Sequence, residues 1–366
     1  MKEASAPKLS QQGCRQRQAR LQVYLHEHKL DAVLFTNRHY VYWLTGYWHE
    51  QILTPTAALF SSDGSALLVT HYEEPEAPAA DEVLSYEPQK LCTLVENLDE
   101  ALCKPLIPRL KGLKRLGVDG SARPWITKNV EWVDVTTGFQ YLRRQKDEDE
   151  INAIRYTIQG ADAVYSKAKE ILHPGISEIE LYAQLQATAI EASGELLSGW
   201  GNDFQSGTPG GLARQRAAQA GELVPFDIGI GVRGYRSDLC RTFSVDGKPS
   251  DLQLEAHSRV VEMLDQIEST IRPEENCRAL FEKIESQLDG WKDYEFKHHL
   301  GHGIGLDPHE VPRINPCYDD TFQAGDIVAV EPGLYGGKLN AGIRLEQNYL
   351  VTDSGVERLS TFPLDL

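Results

Sequence analysis

The sequence lacks any long hydrophobic run. Its 366 residues contain no stretch of about 18 apolar residues, so we expect no transmembrane helix and no membrane partner. The first 20 residues are polar and lack the apolar core of a secretory signal, which predicts a cytoplasmic protein.

Basic residues are also scarce: 37 Lys and Arg stand against 54 Asp and Glu, a formal net charge of −17. Such a surface repels a phosphate backbone, so we expect no nucleic-acid partner.

Closely spaced cysteine pairs are absent as well. No two cysteines form a CxxC motif, as a zinc–thiolate site or a redox pair would require. The pattern predicts reduced, mostly buried thiols. The six cysteines are Cys14, Cys92, Cys103, Cys240, Cys277 and Cys317.

The length indicates two domains of ordinary size. Helical spacing over residues 14–34 leads into the apolar stretch DAVLFT, and Asp63-Gly64 separates two apolar runs as a hairpin turn would. Residues 142–150 are charged and show no apolar period, so we expect a linker there. The resulting prediction is an α/β domain over residues 1–145 and a second domain over residues 146–366.

Start and stop signals predict the helices of the second domain. A helix after the linker should end at His173-Pro174-Gly175, and the next should begin with a capping box from Ser177 to Glu180. A helix pair is expected over residues 250–290, divided at Arg272-Pro273. Strands are predicted for most of the rest.

Two strand–turn–strand patterns carry the chemistry of the sequence. The first, LVPFDIGIGVRGYRSDLCRTFSV, holds Asp227 in one apolar run and Asp238 at the start of the next. The second, DIVAVEPGLYGGKLNAGIRLEQNYLVT, holds Glu331 and Glu346 in the corresponding places. Because a buried, unpaired carboxylate is costly, these positions point to a shared cation.

Between these patterns lies a histidine-rich segment, FKHHLGHGIGLDPHE, over residues 296–310. Carboxylates with a single imidazole suit Mn²⁺, Co²⁺, Fe²⁺ or Zn²⁺. Two bridging carboxylates would hold two such ions about 3.5–4 Å apart and activate a shared water.

Each residue also has an ordinary structural interpretation. Either aspartate could be a turn residue or pair with Arg233, Arg236 or Arg241, Glu331 could mark a strand end, and the histidines could lie in a solvated loop. Glu346 could pair with Arg344. Together, however, the acids and histidines favour one shared site.

Two other motif matches are rejected. The GxGxxG pattern at residues 229–234 precedes a predicted strand, whereas a dinucleotide site needs a helix there. His309-Glu310 begins like HExxH but lacks the second histidine, and Pro312 would break the helix.

Four blocks, FDIGIGVRGYRSDLCRTF, GHGIGLDPHE, VEPGLY and GIRLEQN, resemble in order and spacing the metal-binding blocks of the pita-bread metallopeptidases. This family comprises prolidase, aminopeptidase P and methionine aminopeptidase, with creatinase as a metal-free relative. The stretch RQARLQVYLHEHKLDAVLFTNRHYVYWLTGY resembles the smaller domain of the prolidase, aminopeptidase P and creatinase branch. The resemblance implies an α/β creatinase-like N-terminal domain (1–145) and an α+β pita-bread catalytic domain (146–366).

The resemblance also implies roles for individual residues. Asp238 and Glu346 would bridge two metal ions, and Glu331 would also handle the proton of the attacking water. His298 and His309 would contact substrate and support catalysis, and Arg344 is a further substrate-binding candidate. His299 has no assigned role and is expected to be structural. The implied metal ligands are Asp227, Asp238, His302, Glu331 and Glu346.

The implied activity is hydrolysis of Xaa-Pro bonds in small peptides by a hydroxide bridging two divalent ions, with manganese favoured over cobalt, zinc or iron. A homodimer is expected. One position departs from the family, which usually has a histidine after a proline seventeen residues before the first metal aspartate; here Gly210 follows Pro209. Two alternatives therefore remain: a hydrolase of another small amide, or a metal-binding member without catalysis.

Overall fold

The computed structural model of the chain describes residues 6–49, 54–71, 76–86 and 98–366. These residues form two compact units, one over Lys8–Arg143 and the other over Arg144–Leu366 with residues 6 and 7. In the part of the chain described, no helix is both long and apolar enough to cross a bilayer.

The first unit is a mixed six-stranded sheet with helices. The predicted hairpin is confirmed, because β2 and β3 pair antiparallel on either side of Asp63-Gly64. The sheet order is β4-β3-β2-β1-β5-β6, with β1 parallel to β5 and antiparallel to β2. The strands are β1 (Ala32–Phe35), β2 (Ala57–Ser61), β3 (Ala66–Thr70), β4 (Glu82–Ser85), β5 (Arg115–Val118) and β6 (Glu131–Asp134).

Helix α1 begins where the Ser10 hydroxyl accepts a hydrogen bond from the Gly13 N–H, and it buries Leu21 and Leu25 one turn apart. It ends at Glu27, earlier than the predicted 14–34 range, and a short helix, α2, follows β1. The helices of this unit are α1 (Gln11–Glu27), α2 (Arg38–Thr45), α3 (Leu98–Cys103) and α4 (Thr136–Leu142), with a 3₁₀ helix at Lys104–Leu110.

Most predicted helices of the second unit are confirmed. The first ends just before His173-Pro174-Gly175, and the helix pair is divided around Arg272-Pro273. The helices are α5 (Glu148–Ile171), α6 (Glu178–Ser193), α7 (Asp251–Thr270) and α8 (Cys277–Leu288), with a 3₁₀ turn at Trp291–Asp293.

The predicted capping box at Ser177 is wrong. Ser177 occupies the N-cap position of α6, but its hydroxyl has no hydrogen-bond partner among the described residues. The buried Glu178 instead accepts hydrogen bonds from the backbone N–H groups of Ser206 and Arg214. A capping box forms at α7, where Ser250 and Gln253 exchange hydrogen bonds.

Strands form the remainder of the second unit. Both predicted strand–turn–strand patterns are confirmed: β7 pairs with β10, and β14 pairs with β15. A five-stranded antiparallel sheet has the order β12-β11-β13-β16-β17. The strands are β7 (Leu223–Asp227), β8 (Gly231–Val232), β9 (Tyr235–Arg236), β10 (Cys240–Ser244), β11 (Gly301–Gly303), β12 (Glu310–Ile314), β13 (Ile327–Val330), β14 (Gly333–Gly336), β15 (Ala341–Arg344), β16 (Gln347–Val351) and β17 (Val356–Arg358), with a 3₁₀ turn at Gly337–Leu339.

Helices α7 and α8 bury their apolar faces against these strands. Val260 and Leu264 of α7 and Ile284 of α8 lie in one buried cluster with Val328 and Val330 of β13. Fully burying each such side chain stabilises the fold by about 1.5–3 kcal/mol. Strand β13, which ends just before Glu331, is therefore fixed by packing against these two helices.

The charged segment 142–150 is not a solvated linker. The division between the two units falls inside it, after Arg143. Arg144 and Lys146 are nevertheless buried, because they form ion pairs with Asp326 and Glu310. Ion pairing makes burial of these charges tolerable.

The thiols agree with the sequence prediction wherever they are described. Cys14, Cys103, Cys240 and Cys277 are buried thiols outside any disulfide, and Cys317 is an exposed thiol. Cys92 lies outside the described residues.

Candidate metal centre

The four predicted acids lie at or next to the ends of strands, at junctions between strand pairs. Asp227 is the last residue of β7 and is paired with Cys240, and Asp238 lies just before β10. Glu331 separates β13 from β14, and Glu346 separates β15 from β16. At these junctions the backbone turns from one sheet to the next, so the side chains can point into a common space.

That space is a cavity of about 290 Å³, named here the acidic cavity. The imidazole Nε2 of His302 lies 3.8 Å from Oδ2 of Asp238 and 3.7 Å from Oε1 of Glu331. Asp238, His302 and Glu346 each offer one potential ligand atom, and these three atoms lie within 4.8 Å of one another. The acidic cavity is lined by all five predicted ligands, Asp227, Asp238, His302, Glu331 and Glu346, and by Asp203, Arg236, His298, His299, His309 and Arg344.

Four buried atoms of residues that line the acidic cavity lack a hydrogen-bond partner among the described residues: Nε2 of His302, Oε2 of Glu346, Nε of Arg344 and Nε1 of Trp200. The other ring nitrogen of His302, Nδ1, lies 3.0 Å from the Gly303 carbonyl oxygen, so it carries the proton. Burial, helped by neighbouring His309, lowers the pKa of His302 to about 4, so the ring is neutral. Nε2 therefore presents a lone pair towards carboxylates. Such an arrangement is satisfied by a cation placed between them.

The carboxylates are costly to ionise without that cation. Burial raises the pKa of Asp227 to about 7, and the charges of Glu331 and Asp203 add to the effect. Burial and the neighbouring acids also raise the pKa values of Asp238 and Glu346 well above their usual range. Divalent ions would remove this repulsion.

Arg344 forms ion pairs with acids other than Glu346, the partner considered from the sequence. Its guanidinium donates to Asp203 and, at 2.9 Å, to Oδ2 of Asp227. It also lies 3.9 Å from Oε2 of Glu331. The pairing with Glu346 considered from the sequence is not what the structure shows, because Arg344 points towards the β7 side of the cavity.

Asp203 is a cavity residue that the sequence reasoning missed. It lies in an irregular loop without periodic signal, and its Oδ1 accepts a 2.6 Å hydrogen bond from the Gly211 N–H. A Cβ atom at Gly210 would lie only 2.5 Å from Oδ2 of Asp203. The carboxylate therefore occupies the space next to the position where the family usually has a histidine.

His298 and His309 border the acidic cavity as predicted for substrate-side groups. Nδ1 of His298 lies 2.7 Å from the His299 carbonyl oxygen, and Nε2 lies 2.7 Å from the Tyr335 hydroxyl. Because Nδ1 donates to the carbonyl, Nε2 accepts from Tyr335. Burial lowers the pKa of His298, consistent with a neutral ring. His309 stacks on His302 with ring centroids 3.9 Å apart.

His299 is not merely structural. Its Nε2 lies 2.6 Å from Oε1 of Glu331. Although burial opposes it, this hydrogen bond raises the pKa of His299. The pKa of Glu331 is correspondingly lowered to about 2 in spite of burial, above all by the hydrogen bond from His299. The two side chains thus form a close hydrogen-bonded pair at the wall of the cavity.

Comparison with known families gives the wider context. Residues 17–144 match the model of the creatinase/prolidase N-terminal domain, and residues 152–353 match that of metallopeptidase family M24. The chain belongs to metallopeptidase family M24. All the residues that line the acidic cavity fall within the segment matched to this family.

Individual relatives share both units. The Xaa-Pro dipeptidase of Pyrococcus horikoshii is 28% identical over 353 residues, covering 92% of this chain and 94% of its own. The structure of the prolidase from Pyrococcus furiosus superposes with a TM-score of 0.76 at 26% identity, covering 93% of this chain and 99% of that one. The Xaa-Pro dipeptidase from Bacillus anthracis gives a TM-score of 0.80 at 24% identity, covering 96% and 99%. The fold is therefore that of the pita-bread peptidases with a creatinase-type N-terminal domain.

Metallopeptidases of family M24 use divalent metal ions, and the residues present fit that use. Four carboxylates and one neutral imidazole form a donor set suited to first-row divalent ions. No described residue donates a hydrogen bond to Nε2 of His302 or Oε2 of Glu346, so the lone pairs of both atoms are available to a metal ion. The chain is accordingly a metallopeptidase by family and by the chemistry of its cavity.

Proposed function

We propose that this chain hydrolyses Xaa-Pro peptide bonds with two divalent ions held in the acidic cavity. The observation that carries the proposal is the unpartnered Nε2 of His302, facing carboxylates inside a cavity bordered by His298 and His309. The Xaa-Pro specificity draws on relatives that are named Xaa-Pro dipeptidase and share 28–29% of their residues with this chain.

The ligands in this proposal are those predicted from the sequence. Asp227, Asp238, His302, Glu331 and Glu346 would hold the two ions. When bound, the ions supply an activated water and a Lewis acid for the scissile carbonyl. The oxygen-rich donor set supports manganese as the native metal.

The protein's own groups then handle protons and charge. Glu331 accepts the proton of the attacking water, and His299, 2.6 Å from its Oε1, is placed to exchange that proton with it. His309, stacked on His302 at the cavity mouth, donates to the developing oxyanion. His298 is held by the Tyr335 hydroxyl and lines the side of the site that receives proline.

A second cavity of about 520 Å³ continues beyond this proline side. It shares His298 and Arg344 with the acidic cavity, and Pro209 and Tyr335 also line it. This space supports binding of the part of a small peptide that follows the scissile bond, with Arg344 at the boundary between the cavities. The homodimer stays a prediction from the family resemblance, and the cytoplasmic location stays a prediction from the polar N-terminal segment.

The test is an activity assay of metal-free protein reloaded with Mn²⁺, Co²⁺ or Zn²⁺. Substrates are an Xaa-Pro dipeptide, an Xaa-Pro-Yaa tripeptide and a matched Xaa-Ala dipeptide as the control. We expect metal-dependent cleavage of the proline substrates and little cleavage of Xaa-Ala; the ratio of the first two distinguishes a dipeptidase from an aminopeptidase. Stoichiometric metal binding without turnover of either proline peptide would reject the proposal and favour another small amide or a non-catalytic role.

A further inference from the structure

A buried ion pair lies directly behind the histidine-bearing loop. Nζ of Lys146 is 2.8 Å from Oε2 of Glu310, and their side chains are only 2% and 3% exposed. Glu310 is the residue after His309, and Lys146 is 164 positions away in sequence. Neither residue lines the acidic cavity, so neither touches the proposed metals or substrate.

Glu310 closes the loop that joins β11 to β12. Its Oε1 accepts hydrogen bonds from the backbone N–H groups of Leu306, at 3.1 Å, and Asp307, at 3.0 Å. The loop starts after His302 and Gly303 on β11 and ends at His309. One carboxylate therefore ties the loop backbone to a fixed cation on another part of the unit.

Because Gly305 has no side chain, the Lys146–Glu310 ion pair can pack directly against the backbone of the loop. A Cβ atom at Gly305 would lie 2.8 Å from Oε2 of Glu310 and 2.9 Å from Cε of Lys146. Both are closer than side-chain carbon atoms normally approach other atoms. The ion pair is thus packed against the backbone of the loop itself.

We infer that Lys146 and Glu310 are positioning residues, which hold the loop so that His309 stays stacked on His302 beside the metal ligands. The kinetic part of this inference rests on the proposed function, whereas the metal-affinity part does not. Groups that orient ligands without touching the metal typically change metal affinity 10–100-fold when removed.

A neighbouring ion pair offers a matched control. Nε of Arg144 lies 2.7 Å from Oδ1 of Asp326, and these side chains are 6% and 1% exposed. Asp326 likewise accepts a backbone hydrogen bond, from Gln323, but the turn that it closes carries no residue of the acidic cavity. Removing one member of either pair should lower stability, because its partner is left as a buried, unpaired charge.

The experiment compares Lys146→Met and Glu310→Ala with Arg144→Met and Asp326→Asn in the full chain. Equilibrium dialysis gives the Kd for Co²⁺, the visible spectrum of bound Co²⁺ reports its coordination, and thermal denaturation gives stability. We expect all four variants to lose stability. Only the Lys146 and Glu310 variants should weaken Co²⁺ binding by about 10–100-fold and alter the spectrum.

A rescue variant separates position from charge. In Lys146→Met/Glu310→Gln no buried charge remains, and the glutamine carbonyl can still accept from Leu306 and Asp307. We expect this double variant to recover Co²⁺ affinity relative to Lys146→Met, whereas Lys146→Met/Glu310→Ala should not recover it. If a single variant fails to fold, the Co²⁺ Kd and spectrum of the double variants decide.

The inference is overturned if the Lys146 and Arg144 variants change Co²⁺ affinity equally, or if glutamine and alanine at 310 behave alike. Once peptide turnover is established for the unmodified chain, kcat should fall in the Lys146 and Glu310 variants while KM changes little. Failure of every peptide assay would count against the proposed function but would leave the Co²⁺ comparison intact.

Discussion

Replacing Gly210 by alanine tests whether Asp203 has taken the space beside it. The added Cβ would lie 2.5 Å from Oδ2 and 2.7 Å from Cγ of the aspartate, whereas ordinary contacts begin at 3.4 Å. The carboxylate would therefore have to withdraw by about 0.9 Å. A shift of that size disrupts its hydrogen bond to the Gly211 N–H and its ion pair with Arg344.

The magnitude follows from these contacts. Forcing extra volume into a packed site costs typically about 1–3 kcal/mol. The backbone at Gly210 is not in the left-handed region, so without the clash alanine would instead stabilise by about 0.4–1 kcal/mol. Whether alanine at position 210 lowers or raises the free energy of unfolding therefore depends on its clash with Asp203.

Urea denaturation of metal-free protein measures this change, with Gly355→Ala as the control because nothing lies within 4 Å of a Cβ there. We expect Gly210→Ala to be destabilised by about 1–3 kcal/mol and the control to change little. In an Asp203→Gly background the same alanine should cost nothing, since its clash partner is gone. Equal stability of Gly210→Ala and the control, or additive effects in the double variant, would refute the reasoning.

Three further predictions concern the metal centre. Glu346→Gln should abolish loading of two ions, measured by metal analysis; full metal content and activity would contradict the assignment. His309→Gln should lower kcat about 10²–10³-fold even at saturating metal, as removal of an oxyanion donor does. The metal-free protein should lose stability as pH rises from about 4 to about 7, because folded Asp227, whose pKa is raised from 3.8 to about 7, keeps a proton that the unfolded chain releases over that range. Saturating Mn²⁺ should suppress this loss in denaturation curves, and an unchanged pH dependence would argue against Asp227 as a ligand.

Much of the secondary structure could be predicted because its signals are local. The hairpin around Asp63-Gly64 and the end of α5 before Pro174 depend on residues a few positions apart. The capping box at Ser177 failed for a tertiary reason. Glu178 is held by Ser206 and Arg214, so the chain enters α6 without the local hydrogen bond. A local pattern cannot reveal a competing partner from elsewhere in the chain.

The sequence by itself determined the two-domain organisation expected of the family, the paired acids and the histidine-rich segment that joins them at one cavity. These follow from motif spacing and from the rule that acids in apolar runs need compensation. Only the tertiary structure decided what surrounds them: Asp203 beside Gly210, His299 on Glu331, Tyr335 on His298, and Lys146 beneath the loop that ends at His309. The reason is physical. Asp203 and Gly210 meet within an irregular loop, and the other three contacts join residues 32, 37 and 164 positions apart. Side-chain type alone does not say which charge or hydroxyl the fold brings within hydrogen-bonding distance.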